Sequence, residues 1–128
     1  MVILLDTHYV LWALSGDRRI SRALLRLIED PDQSVKVSLA SAWEMTIKHS
    51  LGKLRLQGDV PETLANIRAL GFELLPIKEE HLLVLDQLPH HHRDPFDRML
   101  IAQAKHEGMH LLTADPHFKL YDVPLVDL

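Results

Sequence analysis

The sequence predicts an α/β fold built on a central, mostly parallel sheet of four to five strands. Three observations predict it: short apolar runs alternate with segments of helical periodicity, the runs are too short for helices, and no segment repeats at a fixed period. At 128 residues, 47% hydrophobic and 25% charged, with five Gly and seven Pro, the chain predicts one compact domain over 1–128 rather than a linker-joined pair.

Val2 to Leu5 is apolar at every position, as a strand buried on both faces requires, so it is placed centrally in the sheet. Ile20, Ala23, Leu24, Leu27 and Ile28 recur at helical spacing, and the helix they imply ends before Pro31. Val35 to Leu39 is a second strand. Ser41 and Glu44 have the spacing of a capping box opening a helix with Trp43, Ile47 and Leu51 on one face, which Gly52 ends. Pro61 begins a helix through Leu70, closed by Gly71, and Phe72 to Leu75 forms a third strand before a helical stretch at Glu79 to Leu88. Asp94-Pro95-Phe96-Asp97 has the form of a helix start, with Asp94 as N-cap, and Gly108 closes the helix. His110 to Thr113 and Val123 to Val126 complete the strands.

Composition narrows the function classes. The absence of cysteine excludes disulfides and thiolate metal sites and fits a reducing compartment. The apolar N-terminal run stops at Asp6, short of a signal-peptide core, and no run approaches a membrane span, so a cytoplasmic protein without a membrane partner is expected. Fourteen Lys plus Arg against eighteen Asp plus Glu leave a net charge of −4, unlike a general nucleic-acid coat protein.

The acids fall where parallel sheets place ligands, past the carboxyl ends of strands. Asp6 follows the first strand and Asp115 the fourth, while Glu44 and Asp97 sit in the first turns of helices entering from the same edge. Converging carboxylates repel by several kcal/mol near a protein surface, so such a cluster calls for a counter-ion or raised pKa values. An all-oxygen donor set suits Mg²⁺ or Mn²⁺, ions that generate hydroxide and clamp phosphodiester oxygens, which points to metal-assisted hydrolysis of nucleic acid. Singly, each acid also has a plainer role: Asp94 and Asp97 as cap acids, Glu44 as a capping-box member paired with Lys48 at i+4, Asp115 as a turn initiator. Asp6 fits a plain role least well, because a carboxylate abutting a buried strand is desolvated unless it has a partner.

Two histidine motifs compete for attention. His106-Glu107-Gly108-Met109-His110 spells H-E-x-x-H, a zinc-metalloprotease pattern, but Gly108 is placed to end the helix and His110 leads a strand, so the imidazoles diverge. His90-His91-His92, on a polar connection, is assigned no ligand. Arg18, Arg22 and Arg26 form one basic stripe and Lys48, His49, Lys53 and Arg55 a second cluster, each readable as a solvated face. Their alternative role, shared by Arg93 and Arg98, is contact with an RNA backbone. Trp12 and Trp43 sit at helical spacing from apolar neighbours and are expected in the core.

Four segments together carry a resemblance over nearly the whole chain. They are Leu4-Leu5-Asp6-Thr7-His8; Val37 to Glu44 with Ile47-Lys48-His49 and Leu51-Gly52-Lys53-Leu54; His92-Arg93-Asp94-Pro95-Phe96-Asp97 continuing to Ala104; and Leu111-Leu112-Thr113-Ala114-Asp115. In this order the sequence resembles the PIN-domain ribonucleases, and among them the VapC-type toxins of toxin-antitoxin pairs. The resemblance implies a three-layer α/β/α sandwich and an acidic Mg²⁺ site that cuts single-stranded or tRNA-type RNA, with Mn²⁺ able to substitute. By position, Asp6, Glu44, Asp97 and Asp115 match the family's acids. Asp6 and Asp97 would hold the principal ion while a metal-activated water attacks phosphorus, Asp94 is the cap or an outer acid, and Thr7 and Thr113 support the ligands. The resemblance also implies a homodimer and a cognate antitoxin whose tail blocks the site. A catalytically silent antitoxin-binding module is the alternative of a different class, against which stands the presence of all four acids.

Overall fold

The computed structural model describes residues 1–127. Its sheet has the order β3-β2-β1-β4, all parallel, with β1 (Val2–Leu5), β2 (Ser34–Ser38), β3 (Glu73–Leu75) and β4 (His110–Leu112). Around it lie α1 (Thr7–Ser15), α2 (Arg22–Glu29), α3 (Leu39–Ser50), α4 (Val60–Ala69), α5 (Glu79–Gln87) and α6 (Pro95–Glu107), then a 3-10 helix, Pro116–Leu120.

The uninterrupted apolar character of β1 follows from its place. Ile3 and Leu5 pack with Val10, Leu24, Val35, Val37 and Ile67 on one face of the sheet. Leu4 faces the other side with Leu100, Ile101, Leu111 and Phe118. Helices thus cover both faces, giving the three-layer sandwich, and the alternation of side chains along a strand assigns successive residues to opposite cores.

The order 3-2-1-4 also fixes where a ligand can sit. The chain leaves β1 toward β2 and β3, then crosses back to place β4 on β1's other edge. A crevice therefore opens past the carboxyl ends of β1 and β4, where successive connections diverge. Asp6 N–H donates to the Leu112 carbonyl at 3.0 Å, closing the two strand ends together at that crevice.

Three local expectations change. The box of Ser41 and Glu44 does not form, because α3 begins directly at the end of β2. Ser38, still extended, takes the cap and accepts from Ala40 N–H at 2.9 Å, and Ser41 is buried inside the helix. The Val123 to Val126 strand shrinks to a single bridge between Leu111 and Leu125, consistent with Pro124, which has no N–H to extend a ladder. Trp43 is 58% exposed, set edge-on to Phe96 at 5.1 Å, whereas Trp12 is partly buried as expected.

Candidate active site

Asp6, Asp97 and Asp115 stand at the ends of regular elements, whereas Glu44 lies in the second turn of α3, not the first as expected, because the helix starts at Leu39. Asp6 ends β1 and caps α1, its Oδ1 accepting from Tyr9 N–H at 3.0 Å, and only 3% of the residue is exposed. Burial pushes its carboxyl up, while hydrogen bonds from Thr113 and the Tyr9 amide pull the other way. The Thr113 hydroxyl also accepts from Asp115 N–H at 3.0 Å, so one hydroxyl spans the two strand ends and their acids.

Glu44 lies on the buried side of α3. Thr7 donates to its Oε1 at 2.8 Å, with Ser41 Oγ 2.9 Å from the same hydroxyl, and Lys48 donates to Oε2 at 2.6 Å. The bond to Glu44 raises the Lys48 ammonium above its usual value. Lys48 is thereby paired with a site acid.

Asp94 caps α6 with a single oxygen, Oδ1 accepting from Phe96 and Asp97 N–H at 2.9 and 3.2 Å. Asp97, in the first turn, receives none of these capping bonds. Burial pushes its carboxyl up to about 7; Asp94, Glu44 and Asp6 push the same way and His92 opposes them. Thr7 ties Glu44 to the start of α1 beside Asp6 and His92 ties Asp97 to Asp115; within this set Glu44 and Asp6 act on Asp97, and Asp115 acts on Asp6 in the same sense.

Asp115 caps the 3-10 helix. Its Oδ1 accepts from the His117 amide and faces His117 Nδ1, both at 2.9 Å, and its Oδ2 lies 2.9 Å from His92 Nε2. Burial raises its carboxyl, but the His117 and His92 contacts outweigh burial and hold it below the usual range.

His92 and His117 are the site residues that spacing did not reveal. Nothing in a run of three histidines on a connection says that the third bridges Asp97 (3.1 Å) and Asp115 (2.9 Å). Atoms of His92, Asp115 and His117 all lie within 4.8 Å of one another, close enough to share an ion. Asp94 N–H, however, donates to His92 Nδ1 at 3.1 Å, which puts the neutral ring's proton on Nε2. This ring therefore donates to the two acids rather than ligating through Nε2.

Of the other basic residues named from sequence, Lys53 and Arg93 are exposed and free to meet an anionic chain. Arg98 is not: its guanidinium donates to the Pro89 carbonyl at 2.8 Å and to Tyr121 Oη at 3.1 Å, so its role is to clamp the segment before α6. Tyr121 Oη also accepts from the amides of His91 and His92 at 3.0 and 2.8 Å, suspending the His92 segment from the end of the 3-10 helix. Tyr121→Phe, which removes this buried acceptor, is expected to cost about 2 kcal/mol in urea unfolding. An unchanged midpoint would show that the clamp is unimportant.

The H-E-x-x-H pattern is dispersed as its glycine indicates. Gly108 adopts φ 70° and caps α6, His110 belongs to β4, and Glu107 accepts from His81 at 2.9 Å. The two histidines do not share a helical face, and no zinc-protease site forms from them.

The donors that remain are carboxylates, desolvated and mutually repelling, an arrangement a hard divalent cation relieves by supplying positive charge to oxygen ligands. Comparison with known proteins gives the family. The family model "PIN domain" matches residues 3–124. Among solved structures, VapBC2 from Rickettsia felis bound to a promoter DNA fragment shares 13% identity over 99% of this chain and 98% of that one, with a TM-score of 0.72. DNA-bound VapBC from Salmonella typhimurium shares 14% over 99% and 97%, also at 0.72. FitAcB from Neisseria gonorrhoeae shares 21% over 98% and 96%, at 0.65. These are likenesses of fold, and no curated protein matches. With a family match spanning almost the full chain and the parallel sandwich it would require, the chain belongs to the PIN-domain family.

Proposed function

We propose that this chain is a divalent-metal-dependent endoribonuclease, the toxin of a toxin-antitoxin pair. One observation carries the proposal: contacts through Thr7, Thr113 and His92 link Asp6, Glu44, Asp97 and Asp115 at the crevice past β1 and β4, where burial first, and then the charges of Asp94, Glu44 and Asp6, push Asp97 up to about 7. Such a cluster is costly to the fold unless it serves a cation. Similarity in fold to VapC and FitB complexes supports the toxin assignment.

In this reading Asp6 and Asp97 hold the principal Mg²⁺, for which Mn²⁺ substitutes, with Glu44 and Asp115 completing the pocket. The ion, when bound, activates water and offsets charge at the scissile phosphate. The chain's own groups arrange the rest. Thr7 and Lys48 fix the two oxygens of Glu44, Thr113 orients Asp6, and His92 holds Asp115 against Asp97. Exposed Lys53 and Arg93 offer charges to the RNA backbone, so affinity weakens as salt rises.

The whole of 1–128 acts as one catalytic unit, forms a homodimer, works in the cytoplasm, and is restrained by a cognate antitoxin. No helix among the described residues is long and apolar enough to cross a membrane.

The test is direct. Purified protein free of antitoxin is incubated with tRNA, unstructured RNA and single-stranded DNA, with Mg²⁺ or with excess EDTA. Cleavage of RNA that needs Mg²⁺ and is lost in Asp6→Ala is the expected result. Equal cleavage in EDTA, or full activity in Asp6→Ala, would sink the proposal, and binding to an antitoxin without any cleavage would leave a silent regulatory module in its place.

A further inference from the structure

Away from the acids, the interior holds a second polar system centred on Gln103. The residue is fully buried in α6, where its neighbours in the helix are apolar. Its Oε1 accepts from Ser38 Oγ at 2.6 Å. Its Nε2 donates to the Pro76 carbonyl at 3.3 Å and faces His81 Nδ1 at 3.4 Å.

The partners continue outward in both directions. Ser38, itself fully buried, accepts from Ala40 N–H and so caps α3 with the same hydroxyl that donates to Gln103. Fully buried His81 accepts from Lys78 N–H on Nδ1 at 3.0 Å, which leaves Nε2 to donate to Glu107, one turn beyond Gln103 on α6.

Each proton in this chain has one placement. Reversing the Gln103 amide would aim Nε2 at the donor hydroxyl of Ser38 and Oε1 at the Pro76 carbonyl. A buried network satisfied in only one way holds its elements in one arrangement.

What it holds is the spacing of two acids. Glu44 lies six residues after Ser38 on α3, and Asp97 six residues before Gln103 on α6. Both offsets correspond to about 9 Å of helical rise. The Ser38–Gln103 bond joins the helices at one level, and the edge-on contact of Trp43 with Phe96 at 5.1 Å, each one residue before its acid, joins them at another, so between these two levels the helices run in opposite senses. A slip at the bond would carry one carboxylate past the other.

We propose that Gln103 is a positioning residue: through Ser38 it sets the register of α3 against α6, and with it the separation that Glu44 and Asp97 present to a divalent cation. The inference rests on the metal-dependent reading above and adds the residue that spaces its ligands.

The test uses Mn²⁺ as the probe, followed by titration and by the electron paramagnetic resonance spectrum of the bound ion. The proteins are the full-length chain, Gln103→Met, Ser38→Ala, their double variant and Asp6→Asn. Gln103→Met keeps most of the side-chain volume and removes the amide. The expected result is folded Gln103→Met and Ser38→Ala proteins with Mn²⁺ affinity at least about tenfold weaker and an altered spectrum, and a double variant no worse than Gln103→Met alone. If Gln103→Met does not fold, Ser38→Ala alone decides by the same affinity and spectrum.

A lower unfolding temperature with unchanged affinity and spectrum would overturn the proposal, because that is what a purely stabilising residue does. Losses that add in the double variant would overturn it as well. Asp6→Asn separates the two levels of the argument. If Asp6→Asn weakens Mn²⁺ binding and Gln103→Met does not, only the positioning role fails. If wild type and Asp6→Asn bind Mn²⁺ alike, the metal-dependent reading fails and the positioning role with it.

Discussion

Asp97→Asn is expected to abolish RNA cleavage and at the same time to stabilise the metal-free protein at alkaline pH. The loss of activity should be on the order of a thousandfold or more, since in the proposed mechanism an anionic metal ligand is replaced by a neutral one. The gain in stability follows from linkage. Asp97 titrates at about 7 in the fold against 3.8 ordinarily, so between these values the native state binds more protons than the unfolded chain. Stability therefore falls as pH rises through that window and is flat above it. Each pH unit corresponds to 1.36 kcal/mol, giving an upper bound of about 4 kcal/mol. The side chain is 19% exposed, and solvent screening brings the expected penalty nearer 2 kcal/mol. Urea unfolding in EDTA at pH 4 and pH 8 measures it. The variant should match wild type at the lower pH and exceed it at the higher. A variant less stable than wild type at pH 8 would refute the assignment of strain to this carboxylate.

The same protonation competes with metal. Apparent Mn²⁺ affinity should rise about tenfold per unit from pH 5.5 to 7 and level off above, because the ion requires the ionised form of Asp97. In Asp97→Asn the residual affinity should vary little over that range. Titrations at half-unit steps decide the matter, and a wild-type curve without an inflection near 7 would remove Asp97 from the ligands.

These predictions concern residues whose legibility in the sequence differed, for physical reasons. Val2 to Leu5 announced a central strand because both of its faces are packed, and Asp94-Pro95 with Gly108 bracketed α6 because caps and stops are local chemistry. The helix directly after Asp6 was less visible. Tyr9 to Leu14 are buried or partly buried on most sides of α1, so no polar face marks a period. Ser41 looked like a cap because the pattern Ser-x-x-Glu is satisfied by sequence alone, whereas the hydroxyl that caps is the one at the strand's end. The strand-end positions of Asp6 and Asp115 and the helix-start position of Asp97 could be read from alternation of elements, whereas Glu44, expected in a first turn, lies one turn further in. The His92 bridge could not, since it joins a connection to a 3-10 helix across a long stretch of chain. Gln103 likewise stood in an apolar helix with no local sign of its partners at Ser38 and Pro76.

The sheet order has a consequence for synthesis. β1 acquires β4 as a neighbour, and Asp6 gains Thr113, only after all the intervening chain from α1 through α6 has been made. Pairings so distant in sequence close late. A nascent domain that has formed β1 through α6 but not yet β4 therefore presents Asp6, Glu44 and Asp97 without Thr113 and Asp115. The four acids come together only when β4 joins the sheet, so the site is among the last features of the fold to form.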